Sequence, residues 1–174
     1  SLKQIGQNAF SGCSSLTSIR LPKGFEKIED GAFSNCSSLT YLDVDEDNQF
    51  FSSLDGVLFN KEKSTLLIYP LGNQNSVYNV PEGILEIGKK AFERNTELKS
   101  ISLPEGLKRI KDSAFTNCSS VISFTLPETI EEIGQQAFYE CFSLEATHTN
   151  QSNQYFTSEG GVLFNKEKTT LILY

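Results

Sequence analysis

The sequence predicts a repeat solenoid: a right-handed coil of short units with a parallel sheet on one side, short helical turns on the other, and an inserted β-hairpin. Three observations lead there. Leu21-Pro22 opens a segment that returns at Val80-Pro81, Leu103-Pro104 and Leu126-Pro127, the last three openings 23 residues apart. The stretch 47–69 returns as 152–174, with 15 of 22 positions identical from Asn48 to Tyr69. One strand and one turn per 23 residues cannot bury an apolar face alone, whereas stacked copies can.

Each short unit carries an apolar residue, an Ile, an Ala-Phe pair, usually Cys, then usually Ser-Leu. The units are 21–43, 80–102, 103–125 and 126–148, with residues 1–20 entering three positions into the repeat. Two longer coils, 44–79 and 149–174, complete a single solenoid over 1–174. The offset between the long coils is 105, equal to a 36-residue insert plus three 23-residue units. The first unit lacks its Leu-Pro opening, and the second long coil stops before a counterpart of Pro70-Leu71-Gly72. A solenoid normally carries polar caps, so the sequence reads as a piece of a longer array, with no apolar leader run at its start.

Within Leu16-Thr-Ser-Ile19-Arg-Leu21, strand alternation points Leu16, Ile19 and Leu21 inward and Ser18 and Arg20 outward. The following Pro has no N–H for a ladder and ends the pairing. The Ile-x-x-x-Ala-Phe-x-x-Cys segment has three- and four-residue apolar spacing, which predicts a short helical turn. The strands ending at Leu21, Val44, Val80, Leu103 and Leu126 are expected to form one parallel sheet, with right-handed crossovers. Residues 56–69 read as two strands joined by a four-residue connection at Asn60-Lys-Glu-Lys63.

Composition narrows the function. Lys plus Arg number 15 against 22 for Asp plus Glu, a net charge of −7, with no basic cluster to meet a nucleic acid. Apolar runs such as Leu66–Tyr69 have four residues, where a membrane helix needs roughly 20. One histidine, His148, and four cysteines without a CxxC pair offer little for zinc, histidine-relay or dithiol chemistry.

The repeated LPxxIxxIxxxAFxxCxSLxxI and the interposed GVLFNKEKxTLxxY resemble the leucine-rich repeats of the BspA-like surface proteins. The resemblance covers the whole chain. It implies a leucine-rich repeat solenoid, exposed at the cell surface or secreted, which binds proteins and mediates adhesion without catalysis or cofactors. The sequence departs from the pattern at Asn95, where Cys is usual, at Thr96-Glu97, and at Thr147 on an inward strand position. The last departure puts the pairing of the Leu144–Thr149 strand in question.

Cys13, Cys36, Cys118 and Cys141 share one repeat position. An even count admits disulfides in an exported protein. Helical turns packed roughly 8–10 Å apart exceed the about 4.4–6.8 Å between Cα atoms that a disulfide wants, so four buried free thiols are expected. Phe10, Phe33, Phe92, Phe115 and Phe138 each follow an Ala and form an expected core spine. The segment from Asp43 to Asn48 opens like a calcium-binding EF-hand loop, yet it lacks the Gly at the sixth place and has Leu54 at the twelfth. It reads as a solvated acidic loop. Asn35, Asn117 and Asn150 fit the N-glycosylation pattern; the first two recur simply because the repeat does.

Two surfaces are candidates for binding. The outward strand face carries Arg20, Tyr41, Asp43, Asn79, Ser100, Ser102, Ser123, Thr125 and His148, beside Ser18, Val77 and Ala146. Small polar residues are also what an exposed sheet simply tolerates. The hairpin tip, Lys61, Glu62 and Lys63, is the second, since insertions often lie on the binding face of a repeat protein. The expected partner is a host matrix or cell-surface protein, or another microbial surface protein, and the alternative role is a spacer that presents another domain. Finally, equivalent positions in neighbouring coils alternate in sign: Lys3 meets Glu26, Lys108 meets Glu131, and Arg109 stands between Glu86 and Glu132.

Overall fold

The computed structural model describes residues 2–173; Ser1 and Tyr174, at the ends of the first unit and of the second long coil, lie outside the described residues. Each short unit contributes two strands, one on each of two narrow faces. On the first face lie Ser18–Leu21, Tyr41–Val44, Val77–Asn79, Ser100–Ser102, Ser123–Leu126 and Ala146–Thr149. On the second lie the two-residue strands Gln4–Ile5, Lys27–Ile28, Glu86–Ile87, Arg109–Ile110 and Glu132–Ile133. Ser18 pairs with Tyr41, Val77 with Ser100, Ser123 with Ala146 and Arg109 with Glu132, all in parallel and all 23 residues apart.

The first face departs from the single sheet expected. Its strands form three separate two-stranded parallel ladders. The long coil is the cause of one break: the far side of Tyr41–Val44 is met by the hairpin, where the Leu42 N–H donates to the Gly56 carbonyl at 2.9 Å. At the other break, Ser100–Ser102 and Ser123–Leu126 run side by side but are joined only at their entry, by Ile122 N–H to the Lys99 carbonyl at 3.4 Å. The most extensive sheet is on the second face, where six strands run from Glu132–Ile133 back to Phe51–Leu54.

The Ile-x-x-x-Ala-Phe-x-x-Cys segment is a chain of β-turns instead of the helical turn expected. Its N–H groups alternate between two partners. Ala9 and Cys13 donate to the carbonyls three residues back, Gly6 and Phe10, while Phe10 donates to Ala32 of the next coil. The same alternation sends Phe92 to Ala114 and Phe115 to Ala137, at 2.8 and 2.7 Å. A helix would turn every N–H back into its own coil and leave none for the neighbour. The alternation requires a positive φ at the third residue of two turns per unit. Those places are held by Asn8, Gly31, Lys90, Ser113 and Gln136, and by Gly12, Asn35, Arg94, Asn117 and Glu140. Asn35 and Asn117 thus have a conformational role in the turn.

Each long coil is a three-stranded antiparallel meander: Phe51–Leu54, Val57–Asn60 and Thr65–Ile68, then Phe156–Glu159, Val162–Asn165 and Leu171–Leu173. The Asn60–Lys63 connection is where the sequence places it. The additional strand comes from Asp55-Gly56, a two-residue turn with φ of 51° and 80°, which is the backbone that twisted hairpins demand. A Cβ on Gly56 would stand 2.8 Å from the Tyr41 ring and 3.0 Å from the Thr40 carbonyl, so the close approach of hairpin and strand needs glycine. Thr65–Ile68 then rejoins the second face, Leu66 opposite Ile87 in parallel.

The aromatic spine is present as stacked rings: Phe10 on Phe33 at 5.5 Å, Phe92 on Phe115 at 5.0 Å and Phe115 on Phe138 at 5.5 Å. Tyr69 of the long coil joins it, stacked on Phe92 at 5.0 Å. The core nevertheless divides into two clusters: Ile5 to Leu42 with Leu58, and Val57 to Leu163. Thr147 is buried and paired with Phe124, so the strand of doubtful pairing is fully laddered from Ala146 to Thr149.

The four thiols are free, and Cys36, Cys118 and Cys141 are buried as expected, but Cys13 is exposed. The reason for their freedom also differs from the one expected. The turns lie at hydrogen-bonding distance from one another, and each buried Sγ–H donates to a Phe carbonyl of the preceding coil: Cys36 to Phe10, Cys118 to Phe92 and Cys141 to Phe115, at 3.0 to 3.1 Å. Cys13 sits in the first described coil, with no described coil beneath it to supply that carbonyl. Burial pushes the Cys118 and Cys36 thiols up and raises Cys141 to about 11. A thiol harder to ionise in the fold than in the unfolded chain, where its pKa is about 8.5, gives stability that is intact below that pH and lost as pH rises through the folded value. Denaturant titrations from pH 7 to 10 should therefore show stability falling above about pH 8.5, by up to about 1.4 kcal/mol per pH unit for each such thiol. The triple variant Cys36→Ala, Cys118→Ala, Cys141→Ala should flatten the profile. Tyr69 and Tyr78, also pushed up by burial, add their loss only at higher pH.

Asn95 replaces the thiol in the third short unit. It is buried; its Oδ1 accepts from Leu98 N–H at 3.4 Å and its Nδ2 has no partner. An unpaired buried amide costs about 1–3 kcal/mol. Asn95→Cys, the residue the other units use, should raise stability by roughly 1–2 kcal/mol in equilibrium unfolding.

Candidate interaction surface

Every residue of the candidate strand face lies on the outward side of its strand, but the face falls into two blocks. Ser18, Arg20, Tyr41 and Asp43 form the first, on paired strands. Arg20 donates to Asp43 at 2.9 Å and lies 3.6 Å from Asp45, and Tyr41 stands half exposed beside them. Asn79, Ser100, Ser102, Ser123, Thr125 and His148 form the second, small and uncharged in its middle. There Asn79 is opposite Ser102 and Thr125 opposite His148. The Asp55-Gly56 turn stands between the blocks, with Gly56 against the Tyr41 ring.

The hairpin tip is only partly free. Glu62 and Lys63 are exposed, while Lys61 is half-buried and turns its ammonium to the Glu46 carbonyl at 3.2 Å. The acidic segment is met by cations of the preceding coil: Arg20 on Asp43 and Asp45, and Lys23 on Asp47 at 3.0 Å. Among the described residues no three His, Cys, Asp or Glu side chains gather as a metal site. His148 is exposed on its strand.

Sign alternation between coils is realised, with one correction. Lys3 pairs with Glu26, Lys108 with Glu131 at 3.1 Å, and Arg109 Nε with Glu86 at 2.8 Å. Arg109 does not reach Glu132. That carboxylate is taken by Lys111 at 3.1 Å, which also stands 3.9 Å from Glu86. Two-residue alternation puts Lys111 on the same side of the strand as Arg109, so two cations and two carboxylates interleave. Exposed pairs contribute about 0–1 kcal/mol each; their combined effect is register, since a slipped coil sets carboxylate beside carboxylate. Arg109→Glu should lower the unfolding midpoint, and the loss should shrink between about 0.05 and 0.5 M salt as screening shortens the repulsion. A salt-independent loss would contradict this reading.

Sequence reasoning missed two buried polar residues, Asn48 and Asn153, which clamp each long coil to the short unit before it. Asn48 Nδ2 donates to the Pro22 and Phe25 carbonyls, and its Oδ1 accepts from Phe50 and Phe51 N–H. Asn153 repeats the arrangement with Pro127, Glu128 and Ile130 below and Tyr155 and Phe156 above. Their identity at an offset of 105, on an otherwise polar stretch, was the available signal.

Stacked 23-residue coils with parallel strands and an aromatic spine define a leucine-rich repeat solenoid. The profile described as the BspA type leucine rich repeat region matches six copies, over residues 1–70 and 71–167. The chain belongs to that family. Among solved structures it is similar to a leucine-rich repeat protein from Eubacterium ventriosum, at 24% identity and a TM-score of 0.77, covering 84% of this chain and 39% of that one. It is also similar to the pneumococcal vaccine antigen PcpA, at 26% identity and TM-score 0.65, over 80% of this chain and 40% of that one. A leucine rich cell surface protein from Faecalibacterium prausnitzii matches at 25% and 0.58, over 88% and 46%. The chain thus spans less than half the length of each of these proteins. A comparison with curated proteins finds no match. No helix among the described residues is long and apolar enough to cross a membrane.

Proposed function

We propose that this chain is a protein-binding segment of a cell-surface or secreted adhesin and that it carries no catalysis. The observation that supports this best is the outward strand face. It is uncovered along both blocks, and its groups are an exposed ion pair, a half-exposed tyrosine ring and a row of hydroxyls, which suit a protein surface. The reading also draws on the family, whose solenoids use extended surfaces for protein partners, and on relatives named as a surface protein and a vaccine antigen. The partner is a host matrix or cell-surface protein, or another microbial surface protein. Nucleic acid is disfavoured by the net charge of −7, and this segment does not insert into the bilayer.

The test is binding of the chain to a panel of matrix and cell-surface proteins. Tyr41→Ala and the pair Ser102→Arg, Thr125→Arg each alter one block without touching the core, while Glu62→Lys, Lys63→Glu alters the hairpin tip. Loss of binding with a face variant supports the strand face. Loss with the tip variant alone assigns binding to the hairpin. Binding to no member of the panel favours a spacer that presents another domain.

A further inference from the structure

The aromatic spine is interrupted at the long coil. Phe10 and Phe33 stack on one side, and Tyr69, Phe92, Phe115 and Phe138 stack on the other, but no ring pairing joins Phe33 to Tyr69 among the described residues. The long coil has no Ala-Phe-x-x-Cys segment to fill the interval, and the core divides at the same place. A cavity of about 280 Å³ occupies the gap. Phe33 and Tyr69 are both in its wall, with Leu58, Leu67, Ile68 and Leu71.

The mouth is polar and electrically closed. Lys89 Nζ meets Asp30 Oδ2 at 2.6 Å, across 59 residues of sequence and from one side of the gap to the other. Lys90 pairs with Glu93 at 3.0 Å and Lys27 with Glu29 at 2.5 Å. Among the described residues each charged side chain in the wall thus has an ion-pair partner, and the interior offers ring faces and aliphatic branches.

We infer that this cavity is a binding site for a small neutral aromatic molecule of one ring or two fused rings, seated where the spine lacks its own ring. The volume is right for that class: an apolar cavity of about 150 Å³ takes up benzene, and this one is nearly twice as large. Stacking adds to burial because offset and edge-on ring pairs at centroid distances of roughly 4.5–7 Å attract beyond their area. The inference is independent of the protein-binding proposal, which concerns the strand face.

The test uses indole as the probe, with cyclohexanol and indole-3-acetate as comparison compounds, in calorimetric titration of the whole chain. Chemical shifts of the Ala32 and Ala91 methyls, both in the cavity wall, locate the site. Indole should bind, shift both methyls and raise the unfolding midpoint. Cyclohexanol and indole-3-acetate should bind at least tenfold more weakly. Ile68→Trp, which places a ring in the cavity, should weaken indole at least tenfold; if that variant does not fold, Leu71→Phe serves the same purpose. Lys89→Ala should leave indole affinity within about twofold, because a neutral ligand does not use the ion pair. No binding by the native chain, methyls that do not move, equal binding of cyclohexanol, tighter binding of the carboxylate, or unchanged affinity in the filled variant would each overturn the inference.

Discussion

Phe115→Ala should cost about 3–5 kcal/mol in equilibrium unfolding, the range for truncating a fully buried ring. Phe115 has no exposed surface, and it touches three rings: Phe92 at 5.0 Å, Phe138 at 5.5 Å and Phe124 at 4.8 Å. Two coils and the strand face therefore lose contact together. Its own N–H bonds to Ala137 and Phe92 bonds to Ala114, so the turns hold the neighbouring backbone in place and the cavity cannot collapse. Phe10 is the internal control. It is half-buried and stacks on Phe33 alone, so Phe10→Ala should cost about 1–2 kcal/mol, near the transfer cost of a partly buried side chain. Equal losses at the two positions would mean that stacking across coils is not what the spine contributes. Because coils couple mainly to nearest neighbours, the Phe115 variant should also broaden the transition, as the coils on its two sides begin to unfold separately.

The repeat and its strand alternation were legible because both are carried by side-chain pattern. Phe124 and Leu126 are inward with Ser123 and Thr125 outward, as period two requires. The turn segment gives a false helical signal because Ile-x-x-x-Ala-Phe-x-x-Cys has helical apolar spacing. The feature that decides against a helix is backbone sign, and only Gly12, Gly31, Asn8, Asn35 and Asn117 advertise it. Lys90, Arg94, Gln136 and Glu140 occupy the same left-handed positions against preference, held there by inter-coil hydrogen bonds that no single-unit pattern displays. Asp55-Gly56 was a readable hairpin signal, and its omission hid the third strand of the meander. The partners of Arg109 were half legible: position gave Glu86, but Lys111, two residues further on, competes for Glu132. On the candidate face the outward residues follow from alternation, whereas its division into two blocks depends on where the hairpin folds back. The interrupted spine was not legible at all, because it arises from what the long coil lacks.

Asn48→Ala should be as damaging as a core truncation, about 3–5 kcal/mol, although it deletes only one amide. The side chain is fully buried and serves four backbone groups at 2.8–2.9 Å: the Pro22 and Phe25 carbonyls and the Phe50 and Phe51 N–H groups. Each buried group left without a partner costs about 1–3 kcal/mol, and a water entering the vacated space recovers part of the sum. Asn48→Asp separates hydrogen bonding from volume. The introduced carboxylate still accepts from Phe50 and Phe51, but it faces two carbonyl oxygens with nothing to donate, which raises its pKa in the fold above the unfolded value of about 3.9. The deficit of this variant should thus be full at neutral pH and shrink as pH falls through the folded pKa, because the protonated acid can donate to one carbonyl. The Asn48→Ala deficit has no such titration. Parallel unfolding curves of the two variants at pH 7 and pH 4.5 provide the measurement, and a deficit for Asn48→Asp that does not shrink at the lower pH would show that the clamp acts through packing instead of donation.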